Sequence, residues 1–142
     1  MNDNNENKNT RIRLQIPSNP EYVSLARDLI YKTCLKHKFP LDRAFEMKLI
    51  CGEAINNVIT HAYGGERDRP IFIEIIPSEE FIEIHCIDFG EQKAITASQA
   101  RDMSDYRTGG LGLFLISKLS DYHYFDQDRK AGTRLILKKR VK

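Results

Sequence analysis

Residues 53–62 set the terms for this chain. A helix turns about 100° per residue, so steps of four drift only slowly around its axis. Glu53, Asn57 and His61 therefore share one narrow strip. Ile50, Cys51, Ala54, Ile55, Val58 and Ala62 form the adjoining face, and it is apolar. An acid, an amide and an imidazole thus ride on the shoulder of a buried helix. A solvated helix face carries Lys, Arg and many Glu, and this strip has almost none. Polar groups at the edge of a core need partners. A charged ligand carrying a metal ion is one such partner.

The rest of the chain frames that helix. Its 142 residues, 41% of them apolar, suit one domain with one core. Residues 1–10 are rich in Asn and have nothing to bury, so they read as a disordered tail ahead of a single domain at 11–142. Residues 11–16 alternate polar and apolar, as a strand with one buried face does. Pro17, Ser18, Asn19 and Pro20 break that strand, with Ser18 or Asn19 placed to cap a helix and Pro20 in its first turn. Apolar residues recur at helical spacing over 21–37. A second helix is expected over 41–62. Gly52 inside it costs about 1 kcal/mol against Ala, which close packing on its backbone would explain.

Gly64 and Gly65 stop the helix. Residues 71–76 and 81–87 read as an antiparallel hairpin. Residues 91–108 are long for a plain connection and read as a lid. A short apolar helix at 110–119 and strands at 122–125 and 133–137 complete the order β-α-α-β-β-lid-α-β-β. The fold class this predicts is α+β: a two-layer sandwich whose mixed, mostly antiparallel sheet is covered on one face by helices.

A formal net charge of only +2 gives nucleic acid no bulk attraction. The basic residues 138–142 read as a solvated strand end. The three cysteines, Cys34, Cys51 and Cys86, lie in apolar segments with no metal-ligand spacing, as buried thiols in a reducing compartment do. No apolar run approaches the roughly 18 residues of a membrane span, and no signal peptide is visible. The expectation is a cytoplasmic protein with no direct nucleic-acid partner and no membrane partner.

Four of the eight glycines, Gly90, Gly109, Gly110 and Gly112, cluster around the lid. The run Gly109-Gly110-Leu111-Gly112-Leu113 leads straight into a helix. Glycine lets backbone N–H groups approach phosphate oxygens, and a helix N-terminus favours negative charge. A plain turn leading into a helix would use the same residues. Asp88-Phe89-Gly90 follows a buried strand. An Asp there can accept a hydrogen bond from an exocyclic amine such as that of adenine, and a simple Asp-Gly turn is the alternative. The triplet matches the DFG of protein kinases, but the chain has no HRD or VAIK segment and is too short. Gly132-Thr133 opens the last strand. Its hydroxyl can reach a base ring nitrogen directly or through water, although Thr is also an ordinary strand residue.

Taken in order, Glu53-x-x-x-Asn57-x-x-x-His61-Ala62, Asp88-x-Gly90, Arg107-Thr108-Gly109-Gly110-Leu111-Gly112-Leu113 and Gly132-Thr133 resemble the boxes of the GHKL (Bergerat-fold) ATPase/kinase superfamily. The short length, the lid ending in Gly-Gly-Leu-Gly-Leu-Phe-Leu-Ile and the following Leu119-Ser120-Asp121 are similar to its anti-sigma-factor serine/threonine kinase branch. The resemblance spans roughly residues 11–137.

The resemblance implies ATP and Mg2+ as cofactors. Glu53 would be the general base and Arg107 would stabilise charge on the γ-phosphate. Asn57 would ligate Mg2+. Asp88, with Gly90 and Thr133 beside it, would meet adenine. The amides of Thr108, Gly109, Gly110, Leu111, Gly112 and Leu113 would hold the phosphates. His61 falls next to this site, either as part of it or as a packed helix histidine. One position departs from the family pattern: a second glycine often follows Asp-x-Gly two residues on, and here Gln92 stands there.

The implied function is an ATP-dependent serine/threonine kinase and anti-sigma factor. It would phosphorylate a small anti-anti-sigma antagonist and sequester a sigma factor, as a homodimer. One alternative is a nucleotide-binding regulatory module that transfers no phosphate. Another is the ATPase domain of a histidine-kinase type protein, disfavoured because no dimerisation helix bearing a phosphoacceptor His precedes the domain.

Overall fold

The computed structural model describes residues 10–92 and 110–142, with the side chain of Leu111 left aside. Among the described residues five strands form one sheet: β1 (Ile12–Pro17), β2 (Pro70–Pro77), β3 (Phe81–Ile87), β4 (Tyr122–Asp126) and β5 (Arg134–Arg140). Their order is β1-β2-β3-β5-β4, and all four pairings are antiparallel. Among the described residues the sheet thus carries no parallel pair, where a mixed, mostly antiparallel one was expected. Helices α1 (Val23–Lys36), α2 (Leu41–Asn57) and α3 (Gly110–Leu119) complete the α+β sandwich. No helix among the described residues is long and apolar enough to cross a membrane.

The sheet is amphipathic because strand side chains alternate. Ile71, Ile73 and Ile75 of β2 and Ile82, Ile84 and Cys86 of β3 are buried, and Phe72, Glu74, Ile76 and Glu83 between them are only partly so. The buried set meets Ile30 and Cys34 of α1, Met47, Ile50 and Ile55 of α2, and Ile116 of α3 in one core. Each such isoleucine contributes about 2 kcal/mol of transfer free energy.

The caps fall as their chemistry dictates. The Asn19 side chain accepts from the Glu21 amide at 3.1 Å and starts a short 3-10 turn before α1. Ser18 has a different task. It is fully buried, its amide donates to the Arg69 carbonyl at 2.8 Å, and its hydroxyl accepts from the Arg69 amide at 3.1 Å and donates to the Glu66 carbonyl. It therefore pins the loop that feeds β2. The packing expected at Gly52 is present: a Cβ there would lie 2.9 Å from Cδ of Arg27, which crosses from α1.

Two boundaries differ from the sequence reading by about three residues or more. Helix α2 ends at Asn57, and Val58–Ala62 continues as a π-helical turn instead of α-helix to residue 62. There the Tyr63 amide bonds back to the Val58 carbonyl at 3.0 Å, the wider step of a π-turn. At the other end of the chain, β5 runs on to Arg140, and Lys139 is not solvated. Its ammonium lies 2.8 Å from the Glu46 carboxylate of α2 and donates to the Leu119 carbonyl that ends α3. The tail expected at 1–10 and the lid expected at 91–108 lie outside the described residues, apart from Thr10, Glu91 and Gln92.

Candidate functional site

Glu53 and Asn57 lie one turn apart on α2, both half-buried. The first turn of α3 packs against them. A Cβ on Gly112 would fall 3.0 Å from Oε2 of Glu53, and 3.4 and 3.5 Å from Nδ2 and Oδ1 of Asn57. Only a residue without a side chain lets α3 begin this close to both polar groups. Gly110 opens α3, and Gly112 and Leu113 follow within its first turns. The first four N–H groups of an α-helix have no partner within it. They stand here beside two oxygen-bearing side chains. That combination suits an anion held by main-chain donors together with a hard cation held by oxygens. Among the described residues no group of three or more His, Cys, Asp or Glu is placed to hold a metal. A cation at this site would take most of its ligands from phosphate and water, as Mg2+ does.

The second part of the site forms where β3 ends. The β3–β5 register sets Ile87 opposite Arg134, so Asp88 leaves its strand beside Thr133. The Asp88 amide donates to the Thr133 carbonyl at 3.0 Å, and its Oδ1 accepts from the Gly90 amide at 2.9 Å. Gly132 has φ +77° and lies against the Asp88 carbonyl, with no space for a Cβ. The Thr133 hydroxyl accepts from Nε2 of Gln127 at 3.1 Å. Asp88 is only 4% exposed. Burial pushes its carboxyl above the usual carboxylate range; the amides of Gly90 and Thr133, then the charges of Arg129 and Arg69, offset part of that.

The two parts meet through the π-turn. Ala62, its last residue, presents its carbonyl to Gly90 so closely that a Cβ on Gly90 would collide with it. The element that carries Glu53 and Asn57 therefore also supports the Asp88 turn.

Several residues here were passed over in the sequence. The Tyr63 hydroxyl donates to the Pro70 carbonyl at 2.5 Å and accepts from the Phe89 amide at 2.9 Å. Arg69 stacks 4.2 Å above the Tyr63 ring and donates to the Phe89 carbonyl at 3.0 Å. Arg129 sits 5.1 Å over the ring of Phe89. Together they brace the turn that presents Asp88. An aromatic residue where a buried helix stops was the one signal available.

The structure thus brings Glu53, Asn57 and Gly112 together, and Asp88, Gly90 and Thr133 together. His61 lies on the π-turn, exposed, and is not packed as a core histidine. Arg107, Thr108 and Gly109 lie outside the described residues. The three cysteines are buried and unpaired. Burial pushes the Cys34 and Cys86 thiols up to about 12 and Cys51 well above its usual value, which suits packing and not reactivity.

Residues 16–139 match the histidine kinase-like ATPase domain. The serine-protein kinase RsbW of Listeria monocytogenes serovar 1/2a is 34% identical over 119 residues, which cover 78% of this chain and 76% of the relative. The protein of the same description from Oceanobacillus iheyensis is 31% identical, covering 78% of this chain and 75% of its own length. The one from Bacillus subtilis is 26% identical, covering 78% and 74%.

Proposed function

The chain belongs to the histidine kinase-like ATPase domain family, on the branch of the RsbW serine-protein kinases, and from that premise we propose that it is an ATP-dependent serine/threonine protein kinase and anti-sigma factor. The observation that carries this reading is the contact of Gly112 with the Glu53–Asn57 pair.

Phosphoryl transfer asks for positioning and charge neutralisation more than for covalent chemistry. Asn57 would hold Mg2+ through Oδ1, and the ion would supply positive charge that offsets that of the phosphates. The amides of Gly110, Leu111, Gly112 and Leu113, with Thr108 and Gly109 ahead of them in the motif, hold the phosphate oxygens. Arg107, by its place in the motif, meets charge developing on the γ-phosphate. Asp88 accepts from the adenine amine, and the Thr133 hydroxyl faces a ring nitrogen. Glu53 accepts the proton of a partner's serine or threonine hydroxyl. As it does so, that oxygen bonds to the γ-phosphorus, the bond to the β–γ bridging oxygen breaks, and ADP leaves with the electron pair.

The acceptor in this reading is a small anti-anti-sigma protein, and the captured partner is a sigma factor. The kinase works as a homodimer in the cytoplasm, a location that three buried, unpaired thiols support. Labelled ATP incubated with candidate antagonists tests the proposal. Transfer that Glu53→Ala abolishes, with partner capture left intact, supports both roles. A native chain that captures its partner but transfers nothing would leave only the nucleotide-responsive binding module.

A further inference from the structure

Gln92, which stands where the family pattern often has glycine, joins the two loops around Asp88, as Arg129 does over the Phe89 ring. Its Nε2 lies 3.1 Å from the Gln127 carbonyl, 3.0 Å from that of Arg129 and 2.8 Å from that of Gly132. An amide nitrogen donates two hydrogens and accepts none, so three converging carbonyls leave only one orientation of the Gln92 amide. All three carbonyls belong to the turn between β4 and β5. The same turn places Gly132 against the Asp88 carbonyl and sends the Gln127 side chain to the Thr133 hydroxyl, 3.1 Å away. Gln92 itself lies just beyond the Asp88-Phe89-Gly90 turn. Its side chain therefore spans from the loop that carries Asp88 to the loop that orients Thr133.

We infer that Gln92 is a positioning residue: by donating to the β4–β5 turn it fixes the spacing between Asp88 and Thr133 that one base edge requires. The inference rests on the assignment of those two residues to adenine. A glycine at position 92 would leave the three carbonyls to water and the spacing to the turn and the Asp88–Thr133 backbone bond. Gln92 is exposed, so its replacement removes little from the core.

Calorimetric titration of ADP with Mg2+ into the full chain tests this. Gln92→Ala and Gln92→Gly are expected to weaken ADP binding about tenfold, the scale of one or two neutral hydrogen bonds. Gln92→Glu, which only accepts, is expected to weaken it at least as much. Gln92→Lys, whose ammonium carries three donors and no acceptor, is expected to stay within about threefold of the native chain. Melting temperatures without nucleotide should stay within about 2 °C throughout, as for an exposed site. Native affinity in the Ala and Glu variants overturns the inference, and so does a Lys variant as weak as the Glu variant. Asp88→Asn, run alongside, separates the two levels. If it weakens ADP binding while the Gln92 variants do not, only the role of Gln92 falls. If it leaves ADP binding unchanged, the adenine assignment falls and this inference with it.

Discussion

Gly112 lies against the carboxylate of Glu53, with room for a Cβ only 3.0 Å from Oε2. That distance is tighter than an ordinary carbon–oxygen contact, so a methyl group must displace Glu53 by a few tenths of an ångström. Catalysis feels such a displacement more than folding does. Gly112→Ala is expected to lower phosphate transfer about 10- to 100-fold. The fold should hold, because Ala gains about 1 kcal/mol of helix propensity over Gly to set against the contact. Initial rates with labelled ATP, compared with the melting temperature of the same variant, check both parts.

Asp88 carries a stability cost that an adenine bound at the proposed site would relieve. Burial raises its carboxyl above the ordinary carboxylate range in the native state. The native state therefore binds that proton more tightly than the unfolded chain does. That contribution to stability is fully present below the unfolded value and is lost as pH rises through the raised native one. A bound adenine amine needs the ionised form, so ADP binding is expected to weaken as pH falls through the native value. Binding in that range should also release protons. Titration in buffers of different ionisation enthalpy measures the release. Asp88→Asn should abolish it and flatten the pH dependence of the nucleotide-free stability.

Gly132 has a second constraint that Gly112 lacks. Its φ of +77° suits glycine, and its Cα faces the Asp88 carbonyl with no space for a side chain. Gly132→Ala is expected to lose about 2–4 kcal/mol of stability in urea unfolding, from strain and overlap together. Because the overlap falls on Asp88, nucleotide affinity should fall as well.

Lys139 joins three elements. Its side chain is 7% exposed and that of Glu46 is 35% exposed. Lys139→Ala removes the partner of Glu46 and the donor at the end of α3. A loss of about 2 kcal/mol is expected, below that of a fully buried pair because water reaches Glu46. Lys139→Met keeps the packing and should lose about half as much. Denaturant midpoints of the two variants test the difference.

The core was legible wherever one periodicity ran unopposed. Isoleucines at every second position of β2 and β3 named their buried face, and Glu53 and Asn57 fell on one side of α2 as their spacing requires. The π-turn was not legible, because Ala54, Val58 and Ala62 continue the helical pattern straight through it. What widens the turn is tertiary: Tyr63 is anchored to Pro70 and Phe89, and the Ala62 carbonyl faces Gly90. Lys139 misled for a similar reason. Three neighbouring basic residues read as solvent-facing, yet strand alternation turns the middle one inward, where Glu46 on a distant helix receives it. Gln92 stood out only as a departure from the family pattern; its role was not legible, since its three acceptors lie on a turn some way along the chain.

Calorimetry of the native chain with Mg2+ and ADP bears most directly on the nucleotide site. A single saturable site is expected, weakened about tenfold or more by chelating the metal or by Asn57→Ala. No heat of binding with Mg2+ present, or an affinity indifferent to both the metal and Asn57, would contradict it.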